Sequence, residues 1–574
     1  MSNRDLSALT LIVLALAAAG AAQPPTAPTL AAAAARLQAN DPAGAARILE
    51  AITAREPANG RAWRLLAGAY QHSQQIDKAL PAYQKALEIE PDSPPALYGM
   101  GTAYALKPDA DAAFQWLGKA KATRKLDMTQ IEADADLASL KSDPRFRALL
   151  PVAADFADPF VEPVTVIREW DGEAANDQFG WIARVIGDVD RDGVPDIVTS
   201  APTRNIGGAS AGRVYVYSTK SGKLLWSVDG HPGDQLGSGV EAAGDTNHDG
   251  IPDVVASAPG AGKAYVYSGK DGHTLLTFSA EKTTDHFGQH VSGVGDIDGD
   301  GYADVIVGAP GNSAGGDGAG RAYVYSGKDG HVLLTLTGEA AHDGFGSAVA
   351  GSLGLAKAGH DTDPGSFLIV GAPHAGARHA GRTYVYRKLS STPAFVIDAD
   401  DTGTALGAMF LSTIGDLNHD GVPDVYASDF TNAARGPATG RIYVHSGSDG
   451  HRLLTLTGET AGEGFGIGPA TAGDVNGDGY DDLIVGAWQY AGAAISGGRA
   501  YLYSGKDGAL LKTYTCRTPG DTFGFDAVGI GDVDGDGTVD FLITSAWSAI
   551  HGFHSGRMFI VSSGIRRQPS NSRR

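Results

Sequence analysis

One sequence unit recurs seven times between residues 161 and 564, and this repetition constrains the fold more than any other feature. Every copy opens with an aromatic residue or leucine followed by glycine, at intervals of 51 to 61 residues; these openings are Phe179, Leu236, Phe287, Phe345, Leu406, Phe465 and Phe523. Within a copy, four short β-branched runs are separated by turn sequences such as "KDG", which predicts four strands. Because a four-stranded unit cannot bury both of its faces alone, seven copies predict a mainly β fold, a seven-bladed β-propeller.

The two ends of the repeat region predict how the ring closes. The seventh copy ends at "GRMFIVSSG" and lacks a fourth strand, whereas an additional strand-like segment, "PVTVIREW", precedes the first copy. We therefore expect residues 164–170 to supply the outer strand of the seventh blade. A linear array of repeats would not require such a segment.

Six of the seven copies carry an acidic loop, of which "GDIDGDGYADVIVGAP" (residues 295–310) is an example. Four carboxylates this close repel one another unless a cation lies among them. In the pattern Asp-x-Asp/Asn-x-Asp-Gly-x-x-Asp, the side chains at positions 1, 3, 5 and 9 and the carbonyl at position 7 can converge on one centre. Oxygen ligation by several carboxylates favours Ca²⁺ over Mg²⁺, because Ca²⁺ accepts about six to eight oxygens in flexible geometry.

An EF-hand is excluded because its twelfth position requires glutamate, whereas Thr199 or Val307 occupies that position here and strands flank the loops. The predicted ligands of up to six structural Ca²⁺ ions are Asp188, Asp190, Asp192 and Asp196; Asp245, Asn247, Asp249 and Asp253; Asp296, Asp298, Asp300 and Asp304; Asp416, Asn418, Asp420 and Asp424; Asp474, Asn476, Asp478 and Asp482; and Asp532, Asp534, Asp536 and Asp540. The fourth copy offers only Asp361 and Asp363 and is predicted to be metal-free. The alternative is that all six loops are ordinary Asp-Gly turns without metal.

Residues 26–150 have a different, helical pattern that is rich in alanine and leucine. Two consecutive segments space large and small residues in a similar way, with Trp63, Leu66, Ala67, Tyr70, Ala79, Tyr83, Ala86 and Pro91 and then Leu97, Gly101, Tyr104, Ala113, Leu117 and Ala120. A weaker unit precedes them, with Ala45, Leu49 and Pro57, so two to three units are predicted. This spacing resembles the tetratricopeptide repeat, a pair of helices in about 34 residues. The resemblance implies a short solenoid whose concave surface binds a peptide or protein, and residues 136–150 resemble a helix that closes such arrays. A spacer or folding aid is the alternative.

The remaining segments predict export to the periplasm, the cell surface or the medium. Residues 1–22 combine Arg4, an apolar run and small residues near Ala21, which is typical of a cleaved signal peptide; an uncleaved anchor is the alternative. No cysteine follows the run, which excludes a lipoprotein anchor, and the single Cys516 excludes an internal disulfide framework. A linker is predicted at 151–160 and a basic, disordered tail at 565–574. The formal net charge of −21 argues against nucleic acid as a partner.

The repeat resembles the FG-GAP repeat of integrin α-subunits, as the third copy shows with Phe287-Gly288, the loop 296–304 and Gly308-Ala309-Pro310. The resemblance covers about residues 161–563 and implies a seven-bladed propeller with calcium in the hairpin loops of its lower face. The chain differs from integrins because acidic loops occur in six units, including the early ones, and because a helical-repeat segment accompanies the propeller. We therefore expect the metal-stabilised scaffold to carry over, but not integrin function as a whole.

Loops on the face opposite the acidic loops supply the candidate ligand site. Two of these loops replace small residues with aromatic ones, and the candidate ligand-binding residues are Trp488, Tyr490, Trp547, His551 and Phe553. Such residues suit a protein or a sugar ligand, although tryptophan can equally fill space between blades where other copies have proline.

Two classes of function remain. No Ser-His-Asp, Cys-His or paired-glutamate arrangement stands apart from the repeat, which predicts a binding protein rather than an enzyme. We expect an exported interaction or cell-adhesion module, with a protein ligand on the propeller and a second partner on the helical repeats. The alternative is a carbohydrate-binding or polysaccharide-degrading propeller.

Overall fold

The computed structural model describes residues 29–123, 125–352, 366–468 and 471–566. The chain divides into two compact units, a helical unit that ends at Ala157 and a propeller unit that begins at Asp158. The predicted signal peptide at 1–22 lies outside the described residues, as do Asp361 and Asp363 of the fourth copy and residues 567–574 of the predicted tail. Among the described residues, none of the helices combines the length and the hydrophobicity that a membrane span requires.

The helical unit contains three consecutive pairs of helices. They are α1 (Leu30–Gln38), α2 (Pro42–Arg55), α3 (Gly60–His72), α4 (Ile76–Ile89), α5 (Pro94–Leu106) and α6 (Ala110–Ala122). Asn59 and Asp109 begin α3 and α6 by accepting hydrogen bonds from backbone N–H groups of the first turn. Small residues lie where helices touch: Ala67 and Ala79 are fully buried, and a Cβ added to Gly99 would lie 2.3 Å from the Tyr83 ring. The predicted helix pairs are therefore present.

The prediction of one closing helix over 136–150 is wrong. This segment forms a 3₁₀-helix (Ala135–Leu140) and the single-turn helix α7 (Pro144–Arg147), and α8 (Ala153–Phe156) follows. Asp143 separates the first two because a residue before proline avoids helical geometry, and its carboxylate caps the next turn at the Arg145 N–H. Leu137, Leu140 and Phe146 are nevertheless buried in the helical unit, so the segment still covers its end.

The propeller unit consists of seven antiparallel sheets. Blade 1 contains β2 (Ala183–Gly187), β3 (Asp196–Ala201), β4 (Arg213–Tyr217) and β5 (Leu224–Asp229); blade 2 contains β6 (Val240–Gly244), β7 (Asp253–Ala258), β8 (Lys263–Tyr267) and β9 (Thr274–Ser279); blade 3 contains β10 (Val291–Gly295), β11 (Asp304–Ala309), β12 (Arg321–Tyr325) and β13 (Val332–Thr337). Blade 4 contains β14 (Val349–Gly351), β15 (Phe367–Ala372), β16 (Arg382–Arg387) and β17 (Phe395–Asp398); blade 5 contains β18 (Leu411–Ile414), β19 (Asp424–Asp429), β20 (Arg441–His445) and β21 (Arg452–Thr457). Blade 6 contains β22 (Phe465–Ile467), β23 (Thr471–Gly473), β24 (Asp482–Ala487), β25 (Arg499–Tyr503) and β26 (Leu510–Thr515), and blade 7 contains β27 (Ala527–Gly531), β28 (Asp540–Ser545), β29 (Arg557–Ser562) and β1 (Val166–Asp171).

Blade 7 confirms the predicted ring closure. The strand β1 pairs antiparallel with β29, with Glu169 opposite Phe559 and Trp170 opposite Met558. The chain ahead of β1 also contributes, because Phe160 forms a bridge with Cys516 of blade 6 and is only 4% exposed. Residues from both ends of the repeat region therefore share one sheet, and the ring has no open edge at this point.

In six of the seven blades, a glycine before the third strand brings that blade into contact with the next. Gly320 and Phe345 form a parallel backbone bridge, and Gly556 and Phe179 form the same bridge where the ring closes. The glycine has a positive φ, +86° at Gly320, and an added Cβ there would lie 2.1 Å from the Phe345 carbonyl oxygen. The glycine that recurs before "YVY"-like strands is therefore an interblade contact.

We expect Gly440→Ala to lower the free energy of unfolding by about 3 kcal/mol or more, because the new Cβ would lie 2.0 Å from the Phe465 carbonyl oxygen. Gly233 is a matched control with the same φ of +86° and no atom within 4 Å of an added Cβ. Gly233→Ala should therefore cost only the backbone strain, about 1–2 kcal/mol. Denaturant unfolding of the two variants measures the difference, and equal losses would contradict the interblade role.

Candidate metal loops and ligand face

The acidic loops share one hydrogen-bonded geometry, described here for the third loop. Asp296 accepts backbone hydrogen bonds from Gly299 (2.7 Å), Asp300 (3.0 Å) and Gly301 (2.8 Å). Asp298 accepts from the Asp300 N–H, and Asp300 accepts from the Tyr302 N–H. The first position of the other five loops accepts the same pair of N–H groups from positions 5 and 6. The backbone turn therefore gathers the carboxylates on one side of each loop.

The ninth position plays a different role from the first five. Asp304 is fully buried, and its two oxygens accept from the Ile297 N–H in the loop and the Gly327 N–H after the third strand, both at 2.9 Å. Burial raises the pKa of this carboxyl to about 7. Two backbone N–H groups at the same positions, one in the loop and one after the third strand, also donate to the ninth acid of the first, second, fifth and sixth loops. These acids are Asp196, Asp253, Asp424 and Asp482. The ninth acid thus fixes the loop to the body of its blade.

The seventh blade breaks this arrangement. Asp540 is fully buried and accepts from the Val533 N–H, but its Oδ1 has no hydrogen-bond partner in the described residues. The equivalent donor is lost because the N–H of Ser563, which follows the third strand here, donates to the Val539 carbonyl oxygen at 2.8 Å instead. Burial raises the pKa of Asp540 to about 7. One carboxylate oxygen in this loop is therefore buried and available to a ligand.

Three of the six loops bring carboxylate oxygens within 4.8 Å of one another. These groups are Asp188, Asp190 and Asp192; Asp296, Asp298 and Asp300; and Asp532, Asp534 and Asp540. In the second, fifth and sixth loops an asparagine occupies the third position. Uncompensated carboxylates at such distances repel one another, and a donor set made only of oxygens suits a hard divalent cation. The residues of the loops therefore fit Ca²⁺.

On the opposite face, Trp488 and Trp547 lie together with ring centroids 4.7 Å apart. Phe525 contacts Trp488 at 5.4 Å, and Trp181 of blade 1 contacts Phe525 at 5.0 Å. Sequence reasoning missed Trp181 and Phe525, which occupy the second position after the opening residue of the first and seventh copies. Some other copies have a polar residue at this position, such as Ser238 or Gln289. A comparison of the copies at this position could therefore have identified the two aromatic residues.

The candidate ligand residues differ in accessibility. Trp488 is only 8% exposed, and its Nε1 lies against the backbone of Gly464, where an added Cβ would be 2.6 Å away. Trp547 is half-buried and stacks on His554 with ring centroids 4.9 Å apart, and Phe553 also stacks on His554, at 3.7 Å. We name Trp547, Phe553 and His554 the aromatic edge. It is the accessible part of the cluster, whereas Trp488 mainly packs.

The two other candidates lie beside the cluster. Tyr490 packs against the same hydrophobic core as Trp488, with the Arg499 guanidinium 3.8 Å from its ring centroid. His551 is exposed, and its Nε2 lies 3.4 Å from the Asp171 carboxylate at the end of β1. The structure therefore groups Trp488, Tyr490 and Trp547 in one core, next to Phe553, and places His551 near the outer strand of blade 7.

The arginines that follow the interblade glycines in six of the blades make ion pairs. Arg321 pairs with Glu281 at 3.0 Å and Arg499 with Glu459 at 3.1 Å, in each case with an acid about 40 residues earlier in the chain. In the seventh copy Arg517 replaces that acid, and Arg557 pairs with Asp521 at 2.7 Å with both side chains fully buried. The charges of these arginines are therefore paired within the propeller.

A polar group near the inner strands was also missed. Arg184 of blade 1 forms ion pairs with Glu241 of blade 2 and Asp526 of blade 7, and all three side chains are buried or nearly so. Burial and the neighbouring Arg184 lower the pKa of His290 to about 4, which keeps its imidazole neutral at physiological pH. The ion pairs of this group connect blades 1, 2 and 7. No single residue of the group stood out in the sequence.

Comparison with known proteins identifies both repeat types. FG-GAP repeat models match residues 179–217, 238–270 and 287–325, and an FG-GAP-like repeat model matches 416–485 and 474–543. A tetratricopeptide repeat model matches residues 30–94 and 73–125. The chain thus carries FG-GAP repeats and tetratricopeptide repeats, which are interaction folds rather than enzyme folds.

Integrin α-subunits are among the similar proteins. Integrin alpha-6 of Gallus gallus is 36% identical over 24% of this chain and 14% of its own length. Integrin alpha-PS5 of Drosophila melanogaster is 31% identical over 27% of this chain and 17% of its own, and integrin alpha-E of Mus musculus is 34% identical over 25% and 14%. The matches span less than a fifth of each relative and about a quarter of this chain.

Proposed function

We propose that this chain, a seven-bladed FG-GAP propeller with tetratricopeptide repeats, is an exported calcium-binding interaction protein that acts in adhesion. Its propeller would bind a protein ligand on the face opposite the acidic loops, and its helical repeats would recruit a second partner. The observation that carries the proposal is the sixfold acidic loop on an integrin-like propeller.

Three observations support calcium in the acidic loops. The donors are oxygens, the carboxylates of three loops lie within 4.8 Å, and Asp540 Oδ1 is buried without a partner in the described residues. A bound Ca²⁺ would supply positive charge among the carboxylates and hold each hairpin in its folded form. Its role is structural, because five of the six loops are fixed to their own blade through the ninth acid.

The aromatic edge is the proposed contact with the protein ligand. Trp547 and Phe553 are partly exposed, and aromatic side chains of this kind anchor protein partners. Burial lowers the pKa of His554 to about 3, so the edge is uncharged at physiological pH. An uncharged aromatic surface also suits the flat face of a sugar ring, which is why a carbohydrate ligand stays the second candidate.

One face of α3 in the helical unit carries polar side chains, of which Gln71 is buried and Arg64 is partly exposed. Gln71 of α3 donates to Thr102 of α5 (3.0 Å) and to Asp136 of the following segment (2.7 Å). Two turns earlier on the same face of α3, Arg64 is partly buried and makes no ion pair with the described residues. Burial, and after it the positive charge of the neighbouring Arg61, lowers the pKa of the Arg64 guanidinium. We propose that an acidic peptide supplies the missing carboxylate.

Affinity capture from cell-envelope extract tests the ligand proposal, with the full chain as bait in Ca²⁺ and then in EDTA. Trp547→Ala and Phe553→Ala each remove one ring from the aromatic edge. The control is Val332→Ala, which changes an exposed side chain on the outer strand of blade 3. We expect one protein to be retained only in Ca²⁺ and to be lost in both edge variants but not in the control. Retention of polysaccharide alone, or release of sugar fragments, would instead establish the carbohydrate function.

A further inference from the structure

Side chains at position 4 of three acidic loops reach across to the loop of the next blade. His248 Nδ1 lies 3.1 Å from the Gly301 carbonyl oxygen, and His419 Nε2 lies 2.9 Å from the Gly479 carbonyl oxygen. Arg191 makes a longer contact, 3.4 Å, with the Asp249 carbonyl oxygen. Because a carbonyl oxygen can only accept, the ring nitrogen of each histidine donates. The loops of blades 1 to 3, and those of blades 5 and 6, are therefore in direct contact.

These three residues occupy a strained backbone position. Arg191, His248 and His419 have φ values of 61°, 59° and 59° in the left-handed region, which side chains with a Cβ rarely adopt. At the same position the third, sixth and seventh loops have glycine, with φ values from 77° to 82°. Non-glycine residues therefore occur at this position only in the three loops whose side chain contacts a neighbour.

Each contacted carbonyl belongs to a peptide group that also holds a predicted calcium ligand. The Gly301 carbonyl shares its peptide with the Tyr302 N–H, which donates to Asp300 at 3.1 Å. The Gly479 carbonyl shares its peptide with the Tyr480 N–H, which donates to Asp478 at 3.0 Å. A hydrogen bond to the carbonyl polarises the peptide and strengthens the bond made by its N–H. The contact therefore positions a ligand carboxylate in the next loop.

Ring contacts reinforce the two histidine bridges. His419 stacks on Tyr480 with centroids 4.1 Å apart and an interplanar angle of 11°, and His248 contacts Tyr302 at 5.6 Å. Both tyrosines occupy position 7, whose backbone carbonyl is the predicted fifth ligand of its loop. The histidine thus restrains the polypeptide on both sides of the contacted carbonyl.

We propose that Arg191, His248 and His419 are positioning residues that couple neighbouring cation sites, so that Ca²⁺ binding in one loop strengthens binding in the adjacent loop. This inference rests on the proposed calcium binding. When one ion orders its loop, the side chain at position 4 of that loop restrains the contacted peptide group of the next loop. The second ion then has less of its loop to order, which is positive cooperativity. The first three loops form one coupled group and the fifth and sixth form another. Glycine at position 4 leaves the third, sixth and seventh loops without such a side chain toward the following blade.

Terbium luminescence can report the third and sixth loops separately. Tb³⁺ resembles Ca²⁺ in size and in its preference for oxygen ligands, and it emits when an adjacent tyrosine transfers excitation energy to it. Tyr302 and Tyr480 are the aromatic residues at position 7, whereas the other four acidic loops have Val194, Ile251, Val422 and Thr538 there. In the full chain, Tyr480→Phe restricts the signal to the third loop, Tyr302→Phe restricts it to the sixth, and the double variant gives the background.

We expect His248→Gly to weaken Tb³⁺ binding at the third loop about threefold to tenfold and to leave the sixth loop unchanged. His419→Gly should do the reverse, and His273→Ala, an exposed histidine bonded only within its own turn, should change neither. Glycine suits the left-handed backbone, and His248→Asn serves as a second variant if circular dichroism shows loss of folding. Unchanged affinities at both loops would overturn the coupling while leaving calcium binding in place. If Tb³⁺ does not bind the unaltered chain, the calcium proposal itself fails, and the coupling with it.

Discussion

A chain that begins at residue 158 is expected to unfold cooperatively, whereas a chain that begins at residue 172 is expected to lose cooperative unfolding and to aggregate. The two differ only in the segment that closes the ring, whose strand β1 pairs with β29 along its length. Trp170 in this segment also donates to the Gly222 carbonyl of blade 1, and Phe160 lies 5.1 Å from Phe523. Without the segment, β29 becomes an exposed edge and this part of the core opens.

Thermal unfolding and sedimentation velocity of the two chains measure this effect. Phe160→Ala in the longer chain is a milder test, because truncation of a buried phenylalanine costs about 3–5 kcal/mol without removing the strand. The same midpoint and the same sedimentation behaviour for both chains would show that the ring does not depend on β1.

Arg557→Met is expected to lower the free energy of unfolding by about 3–5 kcal/mol, because it leaves the Asp521 carboxylate buried without its cation. Both side chains are fully buried at a separation of 2.7 Å, and Arg557 also pairs with Glu169 of β1 at 3.0 Å. Adding Asp521→Asn to this variant removes the uncompensated charge and should therefore recover part of the lost free energy of unfolding.

Arg321→Met is the matched control for this prediction. Arg321 occupies the same position in blade 3, but the side chain of its partner Glu281 is 50% exposed. Water screens such a pair, so we expect a loss below about 1 kcal/mol. Denaturant unfolding in parallel compares the two variants, and equal losses would contradict the special role of the buried pair.

The sequence was sufficient to predict the propeller because its evidence is local and repeated. Apolar runs such as that of Val305 to Val307, bounded by turn residues, recur in every copy, and the missing fourth strand of the last copy indicated the closure at residues 164–170. The helix pairs followed in the same way from the spacing of Trp63, Tyr70 and Tyr83. The single closing helix over 136–150 was wrong because Pro144 outweighs the apolar pattern around it.

Features that depend on neighbouring blades could not be predicted from one copy. Trp181 and Phe525 are far apart in the chain and meet only because the first and seventh blades are adjacent in the closed ring. The buried pair of Arg557 and Asp521 arises because Arg517 replaces an acid that other copies provide. The contact between His248 and the Gly301 carbonyl likewise requires the distance between two loops, which the spacing within a loop does not contain.

We propose that the acidic loops bind Ca²⁺ as part of the folded propeller. Calorimetric titration of Ca²⁺ into the full chain, after removal of bound ions by EDTA and dialysis, measures this binding. We expect saturable binding of up to six ions per chain, with fewer ions bound when Asp296→Asn and Asp300→Asn disable the third loop. The absence of saturable binding by a folded chain would contradict it and would leave the six loops as Asp-Gly turns without metal.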